Sequence, residues 1–211
     1  MARSRKAAPA VITVAAVALT ADPALAHHVM GGAMPATAWQ GLLSGLGHPV
    51  IGFDHFAFVI GVGLMSWLAG RRMLLPLVFV AATVLGCFAH IQSMNVPSSE
   101  LAIVITLLVA AGIVALRYRM PASLFALLFA AAGFFHGYAY GESIVGAEAT
   151  PLIAYVIGFA AIQYAIAVAG AAVLRAIVDR EYASELTAAR VAGAAIAAVA
   201  IVSVVSLALA T

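Results

Sequence analysis

The run HPVIGFDHFAF, from His48 to Phe58, sets two histidines and an aspartate at the head of an apolar stretch long enough to cross a membrane. Ionisable groups in a hydrophobic span are costly, and where they occur they face a bundle interior or a cavity and mark an ion or substrate path. Imidazole suits nickel, cobalt, copper and zinc, and a carboxylate adds a hard anionic ligand. His48, Asp54 and His55 therefore read as the mouth of a transition-metal path. On one straight helix the two histidines share a face about 10.5 Å apart along the axis. Pro49 favours a first helical turn and Gly52 loosens the next, so a bent start is expected to bring His48 back toward His55. Asp54 lies about 100° around the helix from His55. It is either a ligand or the acceptor that holds an imidazole tautomer, against a plainer role of pairing with a histidine or capping a broken backbone.

Two further stretches carry candidate ligands. FFHGYAYGE places His136 and Tyr140 at i and i+4, with Gly137 and Gly141 as a small-xxx-small pair that lets another helix approach. His136 with Glu142 would extend a mixed nitrogen and oxygen site, whereas Tyr138 and Tyr140 read as residues of the interfacial aromatic belt. Cys87, His90 and Met94 share a helix face, but a single cysteine is usually a small buried hydrophobe and a methionine a gap-filler. Of these three only His90 is kept. The candidate metal ligands are thus His48, Asp54, His55, His90, His136 and Glu142. Gln163, a polar group in an apolar run, is expected to bond across helices.

The elements that must position these groups are helices in lipid. The 211 residues are 65% hydrophobic and 9% charged, with a mean hydropathy of +1.14, where soluble domains carry about 25% charged residues. A formal charge of +2 supplies no basic stripe for nucleic acid. The single Cys87 excludes an internal disulfide. Arg3, Arg5 and Lys6, then a short apolar run, then Ala24-Leu25-Ala26 read as a signal peptide over 1–26, leaving 27–211 as one transmembrane domain. His27 and His28 would then begin the mature chain, either chelating metal on the outer face or simply solvated. Residues 29–47 read as a Gly-rich lead-in lying in the interface, with Trp39 as an anchor.

Apolar runs follow at about 50–70, 73–95, 101–116, 122–140, 152–174 and 191–210, the third the shortest. The fold class is all-α, a polytopic bundle of about six membrane helices. Arg71, Arg72, Arg117, Arg119, Arg175, Arg180 and Arg190 follow or precede alternate runs, while NVPSSE and GESIVGAEATP hold no Lys or Arg. By the positive-inside rule both mature termini lie outside a bacterial-type inner membrane, and the candidate ligands fall in its outer half. Glu100 reads as an acid in the first turn of a helix. No phosphate-binding GxxxxGK[ST] loop occurs in the sequence; no catalytic residue or resident cofactor is assigned.

HPVIGFDH and FFHGYAYGESIVGAE, together with the leader and six apolar runs, resemble the HupE/UreJ family of nickel and cobalt permeases. His48, Asp54 and His55 match its first motif, a histidine, five residues and then Asp-His. His136, Gly137, Ala139 and Gly141 match its second, and Tyr140 stands where a second histidine is common. The resemblance implies a secondary permease whose partners are a divalent metal ion and the bilayer, with nickel against cobalt and any homo-oligomer left open. The alternatives are an intramembrane metal-dependent hydrolase with Asp54 or Glu142 as base, and a metal-binding accessory or sensor protein.

Overall fold

A computed structural model describes residues 33–209; the expected leader, its cleavage site and His27-His28 lie outside the described residues. Seven helices follow in order: α1 Ala38–Ile51, α2 Phe53–Leu68, α3 Leu75–Ile91, α4 Ser99–Leu116, α5 Ala122–Glu142, α6 Ala149–Asp179 and α7 Glu185–Leu209. The six expected runs are α2 to α7. The shortest of them are α2 and α3, with 16 and 17 residues, rather than the third run, whose helix has 18. Each of α4 to α7 is long and apolar enough to cross a membrane alone, and α1 with α2 passes the same test as a pair bent by 80°.

α1 is the element that differs most from expectation. From residue 38 the expected lead-in is a helix, started by a capping box. The Thr37 hydroxyl accepts from the Gln40 N–H, and the Gln40 side-chain carbonyl accepts from the backbone of Ala36 and Thr37, so orphan donors of the first turn are satisfied reciprocally. Gly41 and Gly45 bring α1 against the backbone of Pro151 and Tyr155 on α6, and Gly158 returns the approach toward Leu42 and Leu46. Small residues at such seams replace the hydrophobic driving force that lipid removes.

α1 ends where Pro49 sits in its last turn, and Gly52 takes an extended conformation (φ −71°, ψ 100°) before α2 begins. Pro49 therefore closes one helix rather than opening the next, because its ring removes a backbone donor and crowds the preceding turn.

Elsewhere the same device recurs. Gly133, Gly137 and Gly141 of α5 meet Phe79, Thr83 and the Cys87–His90 turn of α3, while Gly86 of α3 meets Phe134 and Tyr138. Gly63 of α2 meets Ala167 of α6, and Gly193 of α7 meets Ala111 and Ala115 of α4. α2 is the central element, with Phe58, Val59, Val62 and Met65 wholly buried. Leu85, Leu116, Leu127 and Ile153 stay exposed on the outside, the side chains expected toward acyl chains. At the arginine-bearing end, Arg117 pairs with Glu185 and Arg175 with Asp179.

The packing predicts opposite effects at two glycines. Gly137→Val drives a side chain into the backbone of Thr83 and is expected to cost ~1–3 kcal/mol. Gly112→Ala meets nothing within 4 Å and is expected to gain about 0.5–1 kcal/mol from helix propensity. Denaturant titration in micelles reads both; equal stability of the two variants would contradict the α3–α5 seam.

Candidate functional site

The break at Gly52 turns the seven-residue spacing of His48 and His55 into ring contact. Their centroids lie 5.8 Å apart, where a straight helix would hold them about 10.5 Å apart along its axis. His136 reaches the same place from α5, its Nδ1 2.9 Å from His55 Nδ1. All three rings are essentially inaccessible, at 1%, 0% and 0% exposure. Tyr140, also fully buried, sets its ring 4.8 Å from His48 and 4.6 Å from His55. Phe58 stacks on His136 at 4.4 Å. Five helices thus supply one buried line of polar groups, running from Ser143 and Tyr155 through His48, Tyr140, His55 and His136 to Thr106.

Hydrogen-bond direction assigns the tautomers. Tyr155 and Ser143 both donate to the carbonyl of Tyr140, at 2.8 and 3.2 Å. That carbonyl lies in the last turn of α5, where no intrahelical donor exists for it. His48 Nδ1 lies 2.9 Å from Tyr155 Oη and 3.1 Å from Ser143 Oγ, which are themselves 3.0 Å apart; in the arrangement where both hydroxyls donate to the carbonyl, Nδ1 is the donor. The lone pair of His48 is then on Nε2. At the other end Thr106 donates to Ile103 O at 2.8 Å and so accepts from His136 Nε2 at 3.1 Å. His136 Nδ1 consequently accepts from His55 Nδ1–H, and His55 also carries its lone pair on Nε2. Partners of this kind on the second nitrogen fix a ligating imidazole's tautomer.

The candidates do not all meet. His48, His55 and His136 come together. Asp54 is half-buried in the first turn of α2, and its Oδ1 accepts from the backbone N–H of His55 at 2.7 Å. His90 is half-buried near the end of α3 with its ring 4.4 Å from Tyr138. α3 stops at Ile91, so exposed Met94 lies beyond it and does not continue a face with Cys87 and His90. Glu142 is exposed at the end of α5; six residues from His136, it points about 240° around the helix. Tyr140 is no belt residue but part of the line, whereas Tyr138 donates to Met94 O at 2.7 Å.

Ser143, Tyr155 and Thr106 escaped sequence reasoning because a hydroxyl residue at a helix end or inside an apolar helix carries no signal of its own. Among the described residues no three His, Cys, Asp or Glu side chains gather closely enough to hold an ion. What converges is three buried imidazoles, His48, His55 and His136, with the Tyr140 phenol against two of them.

Comparison with known proteins bears on this arrangement. The family model described as HupE / UreJ protein matches residues 15–203. The chain belongs to the HupE/UreJ family. Protein HupE of Rhizobium leguminosarum bv. viciae is 32% identical over 152 residues, which is 71% of this chain and 74% of that protein. No solved structure matches significantly. The HupE/UreJ match spans all seven helices save the end of α7, so both histidine-bearing stretches fall inside it.

Nitrogen-15 spectra of histidine-labelled protein test the tautomers. His48 and His55 are expected as Nδ1–H and His136 as Nε2–H, with Tyr155→Phe perturbing His48 and Thr106→Val perturbing His136. Nε2–H forms at both His48 and His55 would contradict the assigned network.

Proposed function

We propose that this chain is a secondary permease that takes up a divalent transition metal, nickel or cobalt, across the inner membrane. The observation that carries the reading is the convergence of two buried imidazoles, His48 and His55, at the α1–α2 break, with His136 beside them. Membership of the HupE/UreJ family supports it, as does the donor type, since nickel and cobalt accept imidazole nitrogen readily. Conduction needs binding favourable enough to admit an ion and weak enough to release it. Two imidazoles and the Tyr140 phenol, with water completing the shell, meet that condition better than a closed four-ligand cage, which stores metal.

The orientation follows from charge. Arg71, Arg117 and Arg180 stand inside and Glu148 outside, after removal of residues 1–26 from a single domain of 27–211. The histidine line then opens to the outer face, and Asp54, in the first turn of α2, adds negative charge at the entry. His136 buttresses His55 through its shared proton, and His90 and Glu142 act, if at all, as accessory ligands on the approach.

One observation favours chemistry over passage: Ser143 Oγ lies 3.1 Å from His48 Nδ1, within reach of a nucleophile and base pair. Yet that nitrogen is the donor of the pair, so it is not set to take the serine proton. Ser143→Ala separates the readings, because a hydrolase would lose its nucleophile whereas a permease loses one of two acceptors of His48.

Accumulation of nickel and cobalt, measured by mass spectrometry in cells with and without the protein, tests the proposal. His55→Ala and Asp54→Ala are expected to reduce uptake at limiting metal at least ~10–100-fold in inserted protein, the range for lost ligands and their partners. Tyr138→Phe is expected to stay within about threefold of wild type, since an interfacial phenol contributes little. Normal uptake by Asp54→Ala together with loss in Tyr138→Phe would sink the assignment of HPVIGFDH as the entry.

A further inference from the structure

Gln163 is the polar group that the histidine line does not use. It lies fully buried in α6, and neither its side-chain nitrogen nor its oxygen has a hydrogen-bond partner among the described residues. The expected bond across helices is therefore not made. Ser66 and Thr83, also fully buried, are satisfied by carbonyls of their own helices, Val62 and Val80. An amide deprived of partners in a low-dielectric interior is costly, and it is retained where water, an ion or a substrate completes it.

Its position is specific. The buried stripe of α6 runs Tyr155, Phe159, Gln163, Ala167 and Ala171 at intervals of four. Tyr155 holds His48. Ala171 lines a cavity of about 320 Å³ at the opposite end, with Arg72, Met73, Arg175 and Asp179 around it. Gln163 stands eight residues from each, about 12 Å along the helix either way. It is also where α6 passes from packing on α1, at Gly158, to packing on α2, at Ala167. The chain between those two contacts is the break at Gly52, where α1 presents the negative end of its dipole. Broken helices that offer carbonyl oxygens to cations are a recurrent device of secondary transporters.

We propose that Gln163 is an interior cation station: its side-chain carbonyl takes the partly hydrated divalent ion after the histidines release it, before the ion reaches the cavity at the arginine-bearing end. The proposal rests on the permease reading. Gln163 meets the ion after His48 and His55, so it governs passage rather than capture. An amide oxygen is a weak, hard donor, suited to brief contact with a hydrated ion.

The test uses the full chain in liposomes, with Ni²⁺ flux, Ni²⁺ binding at equilibrium and heat stability read together. Gln163→Leu is expected to remain folded with unchanged or higher heat stability, to bind Ni²⁺ within twofold of wild type, and to transport at least tenfold more slowly at saturating metal. Gln163→Asn, which keeps a carbonyl, is expected to recover part of the rate. A second measurement does not depend on leucine being tolerated. With Cys87→Ala as background, Gln163→Cys is expected to react with a small cationic methanethiosulfonate, more slowly when Ni²⁺ is present. Wild-type flux in Gln163→Leu, or an unreactive cysteine at 163, would overturn the station while leaving the permease reading intact. A wild-type protein that moves no metal would remove both.

Discussion

A buried imidazole N–H must find an acceptor, because hydrocarbon offers no water to replace one. That requirement organises the line from Ser143 to Thr106. α5 ends at Glu142, leaving the carbonyl of Tyr140 without a helical donor, and Tyr155 and Ser143 take it up. With their protons directed there, His48 Nδ1 is the donor to both hydroxyl oxygens. Thr106, turned onto Ile103, imposes the opposite tautomer on His136 and through it the ligating form on His55. Two ordinary features, a helix end and a back-bonded threonine, thereby bear on which ring nitrogens carry the protons.

The rings meet at all because backbones approach one another closely. Gly41, Gly45 and Gly158 seat α1 on α6, and Gly133, Gly137 and Gly141 seat α5 on α3. Between these seams α2 carries His55 and Phe58 into the centre, and the 80° turn at Gly52 returns His48 to it. A straight helix through the same residues would still place both histidines on one face, but too far apart to share an ion without an intermediate step. The turn converts a spacing of seven residues into a contact.

Much of this was legible in the chain. Six apolar runs became six helices because hydropathy over about 18 residues leaves few other structures in a bilayer. His48, His55 and His136 stood out because imidazoles are expensive among apolar neighbours. The break was half legible: Pro49 and Gly52 announced a bend, but the capping box at Thr37 and Gln40, which turns the lead-in into α1, was overlooked. Glu142, six residues from His136, lies off that residue's face by helix arithmetic alone. Tyr140 was misjudged for a different reason. Its place between two histidines depends on contacts between α1, α2 and α5, although its i+4 spacing from His136 already set it apart from Tyr138. The hydroxyls of Thr106, Ser143 and Tyr155 likewise acquire meaning only from partners 12 to 107 residues distant.

The central claim is that His48 and His55 both present nitrogen to a divalent metal at the break. X-ray absorption at the nickel edge, on the purified full chain loaded with one equivalent of Ni²⁺, addresses it directly. The account predicts two imidazole ligands with oxygen donors filling the remaining positions, one imidazole in either His48→Ala or His55→Ala, and none in the double variant. A nickel shell made only of oxygen in the wild-type protein, or two imidazoles that persist in the double variant, would contradict it.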